Sequence, residues 1–241
     1  MLTVCALSAL YGSGLNRMDG FMRIVKDGYR LIAGCAVLFP LAALGMVLLG
    51  LIGAAVVLAV LAVVGTAFFL YFFRDPERSV PDEPAVVVAG ADGVIRAIEP
   101  IREDHYLNGD TVRVSIFLNP FDVHVNRAPI QGTVKGLAYT PGKHLLTISN
   151  ASSEFNEHSS ILIEGENGRC LVRQIVGPVV RRVVYWLEME QALEKGERIG
   201  MMKFGSRMDI YLPASDVEIA VEKGDRVRAG ETPIARWRNG G

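Results

Sequence analysis

From Leu31 to Phe73 the chain carries no charged residue, and Leu, Val, Ala, Gly and Phe dominate the stretch. That is about twice the roughly 20 residues a helix needs to cross a bilayer. The pattern therefore predicts two spans, Leu31 to Leu49 and Ala54 to Phe73, with Gly50-Leu51-Ile52-Gly53 as the tight turn between them. Pro40 falls inside the first span, where a membrane helix tolerates it. A helical pair buried in a soluble core is the competing reading, and so long an uncharged run is unusual there. Two spans return the chain to its starting side. Arg17, Arg23, Lys26 and Arg30 precede the hairpin and Arg74 and Arg78 follow it, so the positive-inside tendency places both flanks in the cytoplasm, at the inner face of the cell membrane.

Polar and apolar positions then change rhythm. Arg74-Asp75-Pro76-Glu77-Arg78-Ser79-Val80-Pro81 is a charged, proline-bearing exit that cannot continue a helix. Beyond it come short β-prone runs broken by Gly, Pro and Asn: PAVVVAGADG, VIRAIEP, TVRVSIFL, GTVKGLAYT, SILIEG, RCLVRQIVG, MDIYLP and VEIAV. Residues 179–194 begin β-branched and end helix-prone, leaving both assignments open. The expected organisation is a cytoplasmic segment 1–30, a transmembrane hairpin 31–73, a linker 74–84 and a mostly β body 85–241 with minor helix. One weak repeat runs through that body. Leu193-Glu194-Lys195-Gly196-Glu197-Arg198-Ile199 recurs as Val221-Glu222-Lys223-Gly224-Asp225-Arg226-Val227, which predicts two similar hairpin turns with Gly at positive φ, of the kind found in barrel-sandwich modules.

Composition narrows the function classes. A formal net charge of −1 across 241 residues gives no global basic field and argues against nucleic-acid binding. Cys5, Cys35 and Cys170 are odd in number and far apart, which fits neither a disulfide framework nor a zinc site and suits a reducing compartment. Residues 1–17 are mildly apolar but lack a basic region ahead of the apolar part, so they make a poor signal peptide, and Met18 and Met22 are alternative starts to Met1.

Four places hold residue types suited to chemistry. Asp92 lies in the Gly90-Ala91-Asp92-Gly93 turn, and His124, Asn126 and Arg127 cluster in FLNPFDVHVNRAP. Asn156-Glu157-His158 is polar and loop-like, and Gly205-Ser206 sits inside MMKFGSRMDIYLP. By itself the last reads as a turn before a strand. Together, Asp92, His124 and Ser206 supply a carboxylate to orient an imidazole, an imidazole to take a proton and a hydroxyl nucleophile. The Gly-x-Ser-x-Gly elbow of a hydrolase is absent.

The order of DGYRLI before the hairpin, FRDPERSVP after it, GADG, FLNPFDVHVNRAP and IGMMKFGSRMDIYLP resembles the phosphatidylserine decarboxylases of the short, membrane-hairpin type. The likeness runs from about Phe21 to Trp237. It implies a proenzyme that cleaves itself at Gly205-Ser206, with Gly205 supplying the scissile carbonyl and Ser206 becoming an N-terminal pyruvoyl group. Asp92 and His124 would assist, as orienting carboxylate and general base. The pyruvoyl group would be the cofactor, with neither metal nor pyridoxal phosphate. It would decarboxylate phosphatidylserine to phosphatidylethanolamine and CO2 through a Schiff base, with His124 returning the proton. Asn126 or Arg127 would hold the lipid phosphate or carboxylate, guanidinium forks suiting both groups. Large and small chains would stay associated, and association of whole copies is left open. Where some members carry a second histidine three residues after the first, this chain has Arg127. Where others read Asn-Glu-Arg, it has Asn156-Glu157-His158.

Two other classes fit parts of the chain. A membrane-tethered barrel-sandwich adaptor or carrier predicts no cleavage. A membrane serine protease using Ser206 with Lys203 or His124 predicts an intact, inhibitor-reactive serine. Both leave FLNPFDVHVNRAP without a purpose.

Overall fold

The structure, a computed structural model, describes residues 23–143, 156–177, 183–202 and 206–238. The expected cytoplasmic segment before Arg23, with Cys5, Arg17, Met18 and Met22, lies outside the described residues, as do Lys203, Phe204 and Gly205.

Two helices long and apolar enough to cross a membrane, Lys26–Leu48 and Ile52–Phe72, pack as a hairpin. Their large apolar side chains point outward, with Leu48 79% and Val63 71% exposed, which is the opposite of a buried helical pair in a soluble core. The first helix starts earlier than the apolar run, because charged Lys26, Asp27 and Arg30 continue its backbone without belonging to its apolar stretch. Just ahead of Pro40 the helix widens into a π-type turn, Gly34–Leu38. A proline has no N–H for the preceding turn and crowds the carbonyl there, and a wider turn relieves both. Gly50 turns the chain at φ 76°.

Entry and exit of the hairpin are zipped together. Strand β1 (Arg23–Ile24) pairs antiparallel with β2 (Arg74–Asp75), and the Val25 N–H donates to the Phe73 carbonyl at 2.9 Å. Phe72 and Phe73 are fully buried against Val25, Val123, Val125 and Met201, so the second helix ends inside the β body.

That body is made of antiparallel strands. An eight-stranded sheet runs, in spatial order, β11 (Ala192–Leu193), β7 (Gly132–Thr140), β8 (His158–Gly165), β9 (Gly168–Ile175), β13 (Arg207–Pro213), β5 (Gly109–Phe117), β4 (Gly93–Glu103) and β15 (Arg226–Val227). Two three-stranded sheets complete it: β10 (Val183–Tyr185), β12 (Arg198–Met202) and β6 (Val125–Arg127); and β14 (Val217–Ile219), β16 (Pro233–Trp237) and β3 (Val86–Val88). Alternation along β13 shows why the sheet forms. Met208, Ile210 and Leu212 enter the main core beside Val114, Ile116, Ile161 and Val172, while Arg207, Asp209 and Tyr211 occupy the other face. That face is buried too. Tyr211 packs with Leu107, Leu162 and Leu171, and Arg207 Nε donates to Asp209 Oδ1 at 2.6 Å while Nη2 donates to Ser115 Oγ at 2.8 Å.

The minor helix expected in the β body is absent among its described residues. In the ambiguous segment, Val184 and Tyr185 pair with Met201 and Gly200, and the Glu190 N–H donates to the Val134 carbonyl at 2.9 Å. Pairing across the chain overrides the local helical preference of Leu187 to Glu194.

The repeated turns are alike bond for bond. Gly196 N–H donates to Ala128 O while Ala128 N–H donates to Glu197 O; Gly224 N–H donates to Ile95 O while Ile95 N–H donates to Asp225 O. Both glycines have positive φ, 78° at Gly196 and 104° at Gly224. Around Gly224 a methyl group would meet open space, whereas at Gly196 it would run into Val80. Gly224→Ala is therefore expected to cost only backbone strain, about 1 kcal/mol, and Gly196→Ala clearly more, as read by chemical denaturation of the detergent-solubilised protein. Equal costs at the two positions would contradict the steric difference.

Candidate active site

His124 is placed by a turn that its own sequence builds. The Asn119 N–H donates to Asp122 Oδ2 at 2.8 Å, the Phe121 N–H to Asn119 Oδ1 at 3.2 Å and the Asp122 N–H to Asn119 O at 2.9 Å, the local side-chain bonding for which Asn and Asp are favoured in turns. From this turn the chain enters β6 with His124 fully buried. Its Nδ1 lies 2.9 Å from the Asp122 carbonyl oxygen. A carbonyl only accepts, so this contact puts the proton on Nδ1 and makes Nε2 the basic nitrogen of the ring. The Phe72 ring, from the last turn of the second helix, packs against the imidazole, tilted by 35° with 4.2 Å between centroids. Burial pushes the His124 pKa down to about 4, against a smaller upward pull from the carbonyl and carboxylate of Asp122. At pH 7 the ring is neutral and able to accept a proton.

Ser206 is 1% exposed, and its hydroxyl has no hydrogen-bond partner among the described residues. Backbone bonds tie it to the His124 stretch from both directions. The Leu118 N–H donates to the Ser206 carbonyl at 3.0 Å, and the Met202 N–H donates to the His124 carbonyl at 3.2 Å. The described residues on either side of Lys203-Phe204-Gly205 are thus both bonded to the segment from Leu118 to His124. Gly205, the expected scissile carbonyl, is itself outside the described residues.

The other expected site residues sit differently. Asp92 receives Arg78 Nη2 at 3.0 and 2.8 Å and the Ala229 N–H at 2.8 Å. Burial raises its pKa, and the Arg78 charge works against that rise. It is not hydrogen-bonded to His124. A contact that orients the imidazole comes from the Asp122 backbone, two residues away and therefore dictated by the turn. Arg127 donates to Asp75 Oδ1, Pro76 O and Gly196 O at 3.0, 3.0 and 2.9 Å. Asn126 is fully buried, and its Oδ1 accepts from Gln174 Nε2 at 2.7 Å, whose Oε1 accepts from Ser159 Oγ at 2.7 Å. Its Nδ2 has no partner among the described residues, so of the two expected ligand-holding side chains it is Asn126 that retains an unused donor. His158 bonds through Nδ1 to the Asn156 carbonyl at 2.8 Å. No cluster of His, Cys, Asp and Glu arranged to hold a metal ion occurs among the described residues.

Sequence reasoning missed Phe72 and Asp122. Phe72 looked like one more lipid-facing residue of an apolar run. Asp122 had a readable signal, a carboxylate in an Asn-Pro-x-Asp turn two residues before a histidine.

The phosphatidylserine decarboxylase family model matches residues 66–235. A phosphatidylserine decarboxylase proenzyme of Desulfotalea psychrophila is 44% identical over 181 residues, covering 75% of this chain and 84% of that one. The proenzyme of Chlorobium phaeobacteroides is 48% identical over 171 residues, 70% and 79% of the two chains, and that of Symbiobacterium thermophilum is 41% identical over 197 residues, 77% and 91%. With most of the β body and the end of the second helix inside the match, the chain belongs to the phosphatidylserine decarboxylase family.

Proposed function

We propose that this protein is a membrane-anchored phosphatidylserine decarboxylase that cleaves itself at Gly205-Ser206 and carries the resulting pyruvoyl group on a small chain beginning at residue 206. One observation carries the reading: a buried serine hydroxyl with no partner among the described residues, in a segment tied on both sides to the backbone around a neutral, buried histidine.

The residues fit such a group, because Ser206 lies at the start of a strand locked in the middle of the sheet and shielded from water. For self-cleavage, Ser206 Oγ attacks the Gly205 carbonyl and its proton passes to Nε2 of His124. The peptide becomes an ester, and elimination releases the Gly205 carboxylate with the large chain. Loss of ammonia by hydrolysis leaves a ketone on residue 206. When formed, that ketone supplies an electron sink for a substrate bearing a primary amine. His124, neutral at pH 7, takes a proton on the amine side of the reaction and returns one to the α-carbon that loses CO2. The Asp122 carbonyl holds the ring in the tautomer that allows this, and the unused Asn126 amide donor is suited to a substrate oxygen. The small chain stays in place after cleavage, because β13 remains hydrogen-bonded between β5 and β9 and β16 remains paired with β3.

Two helices long and apolar enough to cross a membrane support an anchor at the bilayer that contains the lipid, and Arg23, Lys26, Arg30 and Arg74 around the hairpin ends favour the cytoplasmic face of the inner membrane.

Intact mass spectrometry of purified protein, before and after hydroxylamine, tests the reading. Two co-purifying chains are expected, the small one blocked at its N-terminus and shifted by the reagent, with phosphatidylethanolamine and CO2 produced from phosphatidylserine vesicles. Ser206→Ala is expected to remain one chain with no activity. A wild-type chain persisting at 26.2 kDa with intact Ser206 would leave the adaptor reading in its place.

A further inference from the structure

The turn that builds the His124 site also presents an aromatic side chain to the outside. Phe121 is 64% exposed, although its backbone is pinned from three directions. Its N–H donates to Asn119 Oδ1, and its carbonyl accepts both Tyr71 Oη at 3.1 Å and Arg74 Nη2 at 2.8 Å. Tyr71 lies in the last turn of the second helix. Arg74 follows that helix, donates to the Tyr71 carbonyl at 2.7 Å and lies over the Tyr71 ring at 3.8 Å. The Pro120-Phe121 tip is therefore bolted to the point where the apolar helix meets its first charge. Leu70 and Tyr71, beside it, are themselves 39% and 44% exposed.

A lone exposed phenylalanine would need no explanation, but Phe121 adjoins exposed Leu70 and Tyr71 at the end of an outward-facing apolar helix, which makes it part of a continuous apolar surface. At the depth where a membrane helix ends such a surface has a place, since aromatic rings and the stems of arginines favour the boundary between headgroups and acyl chains. Continuity with the helix selects the bilayer it crosses as the occupant, because the tip and the helix end share two hydrogen bonds.

We propose that the Pro120-Phe121 tip is inserted into the boundary layer of the same bilayer and holds the His124 site against the lipid surface, so that a phospholipid reaches it laterally without leaving the membrane. The inference rests on the membrane-anchored decarboxylase reading. On the inner side of the turn Phe72 packs against His124; on the outer side Phe121 meets lipid. The second helix is thus part of the site's wall as well as its tether.

The test uses the full-length processed protein in vesicles of phosphatidylserine and phosphatidylcholine. With Phe121 replaced by the photocrosslinker p-benzoylphenylalanine, illumination is expected to give a large chain heavier by one phospholipid, as it should with Leu61 so replaced in the middle of the second helix. Separately, Phe121→Asp is expected to lower the ratio of activity on vesicle phosphatidylserine to activity on a soluble short-chain phosphatidylserine by about tenfold, and Phe121→Trp to restore it. A lipid adduct at position 61 without one at 121, a crosslink from 121 to a second copy, or an unchanged ratio would overturn the placement. If the wild type decarboxylates neither substrate, the decarboxylase reading fails, while the crosslink still decides where the tip lies.

Discussion

Replacing His124 by alanine is expected to slow self-cleavage by about 10²–10⁴-fold, the usual worth of a positioned acid or base, so that freshly purified protein is mainly one chain. The residue is selected by its surroundings as much as by its type. His158 is also buried and bonded through Nδ1 to a carbonyl two residues back, yet its backbone pairs with Thr140 and Ile175, whereas the His124 carbonyl accepts from Met202, the last described residue before the Gly205-Ser206 bond. His158→Ala should therefore cleave nearly as the wild type does, in a time course followed by gel. The pH dependence follows from the same burial. With the His124 pKa near 4, the cleavage rate should hold through pH 6.5 and fall only as pH drops toward 4. Stability moves over the same window. Between about 6.5 and 4 the unfolded chain binds a proton that the folded one refuses, so stability is fully present above 6.5 and decreases as pH falls, by about 3 kcal/mol at most for a shift of this size. In His124→Ala that part of the acid sensitivity should disappear, and a cleavage profile centred on 6.5 in the wild type would count against the buried neutral ring.

Much of this arrangement was legible from local pattern. An uncharged run announces a hairpin whatever the rest does, and alternation in MDIYLP or RCLVRQIV reports a strand because one face must be apolar. The repeated Lys-Gly-acid-Arg turns could be read down to the sign of φ at Gly196 and Gly224, since only backbone geometry was at stake. What could not be read were pairings between distant segments. Arg127 reads in the sequence as a guanidinium suited to a ligand, and nothing there shows that Asp75, Pro76 and Gly196 converge on it. Asp92 reads as a carboxylate suited to a histidine, and nothing in the sequence shows that the linker brings Arg78 onto it. Both pairings have the same physical origin. The exit from the helical hairpin is charged, it is drawn into the body, and the charges buried along it had to find opposite partners there. A single sequence shows those charges but not which of them meet.

Asp75 carries the largest share of that burden. Its carboxylate, 8% exposed, accepts Arg127 Nη2 at 3.0 Å on one oxygen and Arg198 Nε on the other, joining the end of the hairpin to β6 and β12. Arg198 can turn to Glu77, already 3.4 Å from it, and is partly exposed. Arg127 has no second carboxylate within hydrogen-bond reach: at 6% exposure it keeps only the Pro76 and Gly196 carbonyls as bonded partners, with Glu77 acting on it from farther away. Asp75→Ala is therefore expected to destabilise the detergent-solubilised protein by about 3–5 kcal/mol, the cost of leaving one member of a buried pair without the other. The double variant Asp75→Ala, Arg127→Leu discriminates causes. If the penalty is the unpaired guanidinium, removing it should recover a substantial part of the loss, though not all, because the bonds to Pro76 and Gly196 go as well. If instead the two substitutions simply add, or Asp75→Ala costs under about 1 kcal/mol, as an exposed pair would, then the docking of the hairpin rests on the Phe72 and Phe73 packing and on the Tyr71 and Arg74 bonds to Phe121. Either result also bears on the site, since Phe72 reaches His124 only while the end of the second helix stays docked.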